Sequence, residues 1–318
     1  MDSTDSWERA RHVLEEAALE PERLTHVTPL SGGTYNAVEE LRLDDGTRYV
    51  LKVAPLDEGL RHEKQLLVAE AQFYEGAALA DVPAPKVVAQ NDGHLLMTAV
   101  PGEQWSELPA PQHDTLRAEL AEQVARLHRI TGPGYGYPSG ALGPLAPDWR
   151  TAFTGMLDAV LADADHYAAQ LPLSTSEIRA TVRKAYDALD EVTTPCLVHF
   201  DLWPGNILID PAAPRVTGLI DGERMFWGDP LADFVSLALL ADIQEDETFL
   251  TAYQKAGGKA EFDDSARQRY ALYRTYLYLI MLTEQVPRKA DEGHRQWAQE
   301  AVVPQLLGAL GEIEALAP

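Results

Sequence analysis

Between two short apolar runs, Cys196–Val198 and Ile207–Ile209, the chain places His199, Asp201 and Asn206 in the stretch HFDLWPGN. An ionised aspartate can accept or orient a hydroxyl proton, and a carboxamide oxygen is a hard donor suited to Mg²⁺. Fifteen residues past Asn206 the apolar run VTGLI ends in Asp221. A strand ending in that carboxylate, beside a hairpin ending in Asn206, would bring two oxygen ligands together. Taken singly, each has a plainer reading: WPGN as an Asx-type turn between strands, Asp221 as a turn residue before Gly222. The pair is better support for chemistry than either member.

The N-terminal third holds a second set. In LSGGTYN, Ser31, Gly32, Gly33 and Thr34 lie between two strand-like runs, where glycines let a backbone turn tightly and approach a phosphate. An unliganded Gly-Gly hairpin is the commoner meaning. Lys52 follows in the apolar run YVLKVA, where an ammonium needs solvent or a partner. Glu70 and Glu63, both on the next helical stretch, are candidate partners. In GDPLADF, Asp229 caps a helix that starts at Pro230, and Asp233 in its first turn is placed to brace the loop around Asp201. His62, His94 and His113 read as surface or turn residues, and no histidine spacing suggests zinc.

The elements that must position these residues follow from periodicity and turn chemistry. A first helix is predicted over about Ser6–Leu19, capped by Asp5 or Ser6, with Trp7, Ala10, Val13, Leu14 and Ala17 on one stripe. Strand, glycine turn, strand, Asp-Asp-Gly turn, strand comes next, then a helix over about Arg61–Leu79. Two short strands, KVVAQ and HLLMTA, meet at Asn91-Asp92-Gly93. Beyond Pro101-Gly102 the pattern turns helical: about 116–130, 148–169, 174–190 and 230–318, with a Gly/Pro-rich loop at 131–147. The expected class is α+β and bilobal. Residues 1–100 make a small antiparallel-sheet lobe with a leading helix, and 101–318 a larger, mostly helical lobe.

Bulk numbers limit the functions open to such a chain. The 318 residues, 46% apolar and 24% charged, describe a globular protein with a sizeable core. A net charge of -24 argues against nucleic acid or an anionic membrane as partner. The acidity is diffuse: residues 1–100 carry 18 acidic and 9 basic side chains, the remainder 32 and 17. It therefore marks no single cleft. One cysteine, Cys196, excludes an internal disulfide. The polar N-terminus is unlike a signal peptide, and no run approaches the roughly 18 apolar residues of a membrane span. A cytoplasmic protein is expected.

In order and spacing, HFDLWPGN, LIDGERMFWGDPLADF, LSGGTYN, VLKVA, AEAQFYEGAALADVPAPKVV and LLMTAVPGE resemble the aminoglycoside phosphotransferase-like family of small-molecule kinases, which shares the protein-kinase fold. The resemblance spans about Thr28–Ala241. It implies Asp201 as catalytic base or hydroxyl-orienting group, Asn206 and Asp221 as magnesium ligands, and His199 and Asp233 as supports of the catalytic loop. It implies Lys52 on the nucleotide phosphates with Glu70 paired to it, Glu70 being favoured over Glu63 by its distance from Pro83. Ser31, Gly32, Gly33 and Thr34 would cover the phosphates. Met97 would lie behind the adenine, whose edge would meet the backbone of Thr98 and Val100. The cofactor would be Mg²⁺, with ATP or GTP as donor.

The implied reaction is γ-phosphate transfer to a hydroxyl of a small molecule, an aminoglycoside or other antibiotic first. Metabolite acceptors (an amino alcohol, a fructosamine, a homoserine-like compound) and a non-catalytic pseudokinase stand as alternatives. Three positions depart from the family: Phe200 where glycine is usual, Gly222 where an aromatic often stands, and Tyr35 in place of a serine. Phe200 and Gly222 suggest a compensating large-for-small exchange.

Overall fold

The computed structural model describes residues 3–30, 37–54, 59–107, 113–213 and 215–317. The chain opens with α1 (Ser3–Glu16), then β1 (Leu24–Pro29), β2 (Ala37–Leu43), β3 (Arg48–Val53), α2 (Leu66–Leu79), β4 (Val87–Gln90) and β5 (His94–Thr98). These strands make one antiparallel sheet in the order β1-β2-β3-β5-β4. Then follow β6 (Glu103–Gln104), α3 (His113–Leu127), α4 (Trp149–His166), α5 (Thr175–Val182), β7 (Cys196–Val198), β8 (Ile207–Asp210), β9 (Arg215–Leu219) and β10 (Phe226–Gly228). Last come α6 (Asp233–Leu237), α7 (Glu247–Lys255), α8 (Asp264–Thr283), α9 (Glu292–Trp297) and α10 (Val303–Leu316). The fold is α+β, a small antiparallel sheet joined to a larger helical part. Among the described residues no helix is long and apolar enough to cross a membrane.

The sheet serves two cores because strand side chains alternate between faces. On one face Leu51 of β3 and Leu96 of β5 meet Ala10, Val13 and Leu14 of α1 in a small separate cluster. On the other face Leu95 and Met97 of β5 join Leu67, Phe73, Tyr74 and Ala77 of α2, and that cluster is continuous with the core of the helical part. Lys52, next to Leu51, therefore emerges on the α2 face. The same alternation that buries Leu51 under α1 delivers the ammonium to Glu70.

Several boundaries differ from expectation for local reasons. Helix α1 starts at Ser3, so Asp5 sits in its first turn instead of capping it. The stretch from Arg61 is a single 3₁₀ turn, Arg61–Glu63, and α2 starts only at Leu66 because Gln65 takes a left-handed φ of 62°. That turn is docked on the helical part. Tyr167 Oη donates to Gly59 O at 3.0 Å, and Arg61 N donates to Asp163 Oδ2 at 2.8 Å. His62 and His94 are buried, not surface residues: His62 stacks on Tyr137 at 5.3 Å, and His94 meets Glu16 at 3.4 Å.

Because the α1 cluster is small, it tolerates little loss. Leu14→Ala is expected to destabilise the protein by about 2–5 kcal/mol, read as a lowered urea midpoint. An unchanged midpoint would show that α1 does not clamp the sheet.

Candidate active site

The loop between β7 and β8 is fixed from beneath by one carboxylate. Asp233, fully buried at the start of α6, accepts from His199 N at 3.1 Å, Phe200 N at 2.6 Å and His128 Nε2 at 2.9 Å. Leu202 N donates to Ser236 Oγ, one turn further along α6, at 2.9 Å. The His199 ring lies edge-on to Phe73 at 4.6 Å. It donates from Nε2 to Ile220 O at 3.0 Å and accepts the Asp201 N–H at Nδ1, 3.2 Å. Both ring nitrogens are thus used inside the protein, one bonding the segment before Asp221 and the other Asp201.

Asn206 donates from Nδ2 to the Asp201 carbonyl at 2.9 Å and to Asp201 Oδ2 at 3.1 Å, which commits the nitrogen and leaves the amide oxygen as the atom able to meet a cation. Burial pushes the Asp201 carboxyl above its ordinary range; Arg224 works against that shift and Asp221 adds to it.

Across from this loop, Lys52 Nζ donates to Glu70 at 2.8 Å and is hydrogen-bonded to Asp221 Oδ1. Tyr74 Oη donates to Glu70 Oε1 at 2.5 Å and accepts the Asp221 N–H at 3.1 Å, so one α2 side chain ties the lysine's partner to the aspartate. Glu63 is not the partner of Lys52. It accepts from Arg288 at 2.6 Å and from Leu60 N at 2.8 Å. Burial alone would lower the Lys52 pKa, but Asp221, Glu70 and Glu223 hold it well above the ordinary value. Asp221 is itself held low: burial opposes this, and the Lys52 charge outweighs it.

Met97 is buried on β5, facing α2. The Thr98 N–H goes to Lys86 O at 2.9 Å, while the Lys86 N–H goes to Thr98 Oγ1 instead of the Thr98 carbonyl, also at 2.9 Å. Val100 follows in the segment joining β5 to β6. Ser31, Gly32, Gly33, Thr34 and Tyr35 lie outside the described residues.

Several charged groups here escaped sequence reasoning. Glu223 is buried 3.6 Å from Lys52, and the ligand-capable oxygens of Glu70, Asp221 and Glu223 lie within 4.8 Å of one another. Its one sequence signal is its place two residues after Asp221. Arg224 pairs with Glu284 at 2.7 Å, Glu284 with Arg288 at 3.1 Å, and Arg288 with Glu63 at 2.6 Å. This chain of charges runs from the Asp221 turn to the segment before α2. No motif marks it, because its members come from distant stretches of sequence. Asp229 does more than cap a helix: besides Leu231 N at 3.1 Å it accepts from Arg269 at 2.9 Å and Tyr273 Oη at 2.8 Å.

The expected exchange between Phe200 and Gly222 fails. A Cβ at Gly222 would lie 2.3 Å from the Phe73 ring, so α2 fills that space. Phe200 instead packs among Phe226 at 5.0 Å and Tyr276 at 5.6 Å. Its backbone explains why glycine is usual there: φ is +64°, the left-handed region that costs a non-glycine residue about 1–2 kcal/mol. Burial of the ring offsets that strain.

The family model of the phosphotransferase enzyme family matches residues 26–273. The chain belongs to that family. It is therefore a small-molecule kinase with a hydroxyl group as acceptor, on a protein-kinase-like fold. Among its relatives, a Lactiplantibacillus plantarum protein assigned as a ketoamine kinase is 27% identical over 272 residues, 82% of this chain and 90% of the relative. An aminoglycoside 3'-phosphotransferase of Streptomyces fradiae is 31% identical over 205 residues, 59% of this chain and 69% of that enzyme. A Thermobifida fusca crystal structure assigned as a fructosamine-3-kinase superposes with a TM-score of 0.70 at 22% identity, covering 96% of this chain and 99% of that one.

Two outcomes test this kinase's geometry. Phe200→Ala is expected to cost about 3–5 kcal/mol, and Phe200→Gly about 1 kcal/mol less despite its smaller side chain, because glycine relieves the left-handed strain. Denaturation midpoints in the reverse order would contradict the strain. For Glu223, burial first and then Asp221 push the carboxyl from 4.5 to about 8. A raised folded-state pKa means the folded protein holds the extra proton across that window, so stability falls as pH rises through it. Glu223→Gln should therefore melt above wild type near pH 8 in metal-free buffer and lose that advantage near pH 5. Equal Tm differences at both pH values would show that Glu223 is already ionised.

Proposed function

We propose that the chain is an ATP-dependent kinase phosphorylating a hydroxyl of an amine-bearing sugar, with ketoamines as the first acceptor class. The observation that carries this reading is the single array formed by Asp201 with Asn206 at 3.1 Å on one side and Lys52 between Glu70 and Asp221 on the other. Lys52 would neutralise nucleotide phosphates, with Glu70 holding it in place. Ser31, Gly32, Gly33 and Thr34 would cover those phosphates. The Thr98 carbonyl and the Val100 N–H would meet the adenine edge, with Met97 behind the ring.

The ligand-capable groups gathered at Asp221, with Glu70 and Glu223, are all oxygen, and the Asn206 amide oxygen would join them from the segment bonded at Ile220 N, a donor set that fits a hard cation such as Mg²⁺. When bound, that ion supplies charge neutralisation to the nucleotide phosphates. Asp201 would take up the acceptor's hydroxyl proton as the oxygen bonds to the γ-phosphorus. The bond from that phosphorus to the β-phosphate oxygen breaks, and ADP leaves. Asn206 Nδ2 holds the Asp201 carboxylate, and His199 and Asp233 fix the backbone that carries it; alignment of this kind accounts for much of the rate gain in such transfers.

The order of acceptor classes is reversed from the one motifs alone suggested. The ketoamine-kinase relative aligns over 82% of the chain, the aminoglycoside enzyme over 59%. Trp203, two residues past Asp201 and 38% exposed, gives a sugar ring or an amine a flat apolar face. An antibiotic acceptor is the second reading, favoured by 31% identity to the Streptomyces fradiae enzyme within the aligned part.

The test is ADP release with ATP or GTP over fructosyl-lysine, ribosyl-lysine, kanamycin and neomycin. Turnover should be highest with a ketoamine, and Asp201→Asn should lower kcat by at least about a thousandfold while Mg-ATP binding persists. Retained turnover in that variant would remove Asp201 from the reaction. Turnover with aminoglycosides alone would favour the second reading.

A further inference from the structure

Three polar groups of Asn206 are committed inside the protein. Its N–H donates to Trp203 O at 2.9 Å, its carbonyl accepts from Ile220 N at 3.0 Å, and Nδ2 donates to Asp201. The peptide unit that leads into Asn206 is held at both ends. Its N–H faces Trp203, and its carbonyl, that of Gly205, accepts from Gln104 Nε2 at 2.8 Å. A carbonyl only accepts, so the Gln104 amide must present its nitrogen there. The two residues stand 101 positions apart, and no motif marks the contact. On the other side of the turn, the Trp203 ring lies where a Cβ at Gly205 would stand, 2.2 Å away.

Gln104 reaches that carbonyl because its own backbone is seated on the β8–β9 hairpin. Glu103 and Gln104 form β6, paired antiparallel with Ile209 and Leu208 of β8, and β8 pairs in turn with β9. Two glycines set how closely the chain lies there. Gly102 takes a φ of +135°, and a Cβ on it would fall 2.4 Å from Thr217 Oγ1 and 2.9 Å from Ile209 O. A Cβ at Gly218 of β9 would fall 2.8 Å from Val100 Cγ1. The segment from Val100 to Gln104 thus touches both arms of the hairpin, beside Asn206 on one and three residues before Asp221 on the other. Gly205 and Asn206 are buried, and a buried carbonyl that loses its donor is driven to turn toward another. That rotation would carry Asn206 with it.

We propose that Gln104 is a positioning residue for Asn206: its amide fixes the Gly205–Asn206 peptide and so sets the direction of the Asn206 amide oxygen. Through the same segment, the Val100 end that would meet the adenine edge and the turn that would meet the metal move as one body. The inference rests on the reading of Asn206 as a magnesium ligand and adds to that site a residue from outside the catalytic loop.

Isothermal titration of ATP with Mg²⁺ and with a chelator, on Gln104→Leu and Asn206→Ala beside wild type, separates the two claims. The quantity read is the ratio of the two affinities. Gln104→Leu should leave the affinity in chelator unchanged and lower the ratio at least about threefold, in line with the loss of one hydrogen bond. Gln104→Glu, which sets an acceptor against the Gly205 carbonyl, should do the same and carries the test if the leucine variant does not fold. A merely structural role would lower both affinities together or neither, and either result overturns the proposal. Asn206→Ala decides the underlying reading: an unchanged ratio there removes Asn206 as a metal ligand. A ratio lost in Asn206→Ala but kept in both Gln104 variants overturns the positioning role alone.

Discussion

Asp233 is fully buried, and its two carboxylate oxygens take hydrogen bonds from His199 N, Phe200 N and the His128 ring. A buried carboxylate without such donors is strongly destabilising, so the β7–β8 loop and the start of α6 hold each other in place. The rest of the site builds on that contact. It sets the left-handed turn at Phe200, which aims Asp201 toward Asn206, and it seats His199, whose ring reaches Ile220 just before Asp221. One buried carboxylate thereby aligns the two loops that end in Asp201 and Asp221.

Helix α2 forms the second half of the frame. Its Phe73 covers Gly222, its Tyr74 bonds both Glu70 and Asp221, and the 3₁₀ turn before it is pinned to the helical part through Asp163, Tyr137 and Arg288. Glu70 is thus carried by the helical part and Lys52 by the sheet. Their ion pair is where the two meet.

Much of this was legible in the sequence. Alternation in YVLKVA places Lys52 opposite Leu51, Gly-Asp-Pro announces a helix start with Asp233 one turn in, and the HFDLWPGN loop shows its polar residues between buried strands. Other features were not legible, and the reasons are physical. The Arg224–Glu284–Arg288–Glu63 chain joins residues far apart in sequence, and no local period records such a pairing. His62 and His94 carry no sign of burial, because a short turn and a strand end look alike whether solvent or a helix lies above them. Phe200 misled for a different reason. A positive φ is a backbone property that a bulky residue conceals, and Phe73, far off in sequence, is what occupies the space over Gly222.

Around Lys52 stand Glu70 and Asp221, two carboxylates against one ammonium, beside a Glu223 carboxyl pushed up to about 8. Adding a polyphosphate to that charge is unfavourable unless cations come with it. On the proposed reading, Asp221 and Asn206 would hold the metal that carries the nucleotide. Isothermal titration of ATP into the wild-type protein, with Mg²⁺ and with a chelator, addresses it most directly. Affinity is expected to be at least about tenfold higher with Mg²⁺. Equal affinity under both conditions would contradict it.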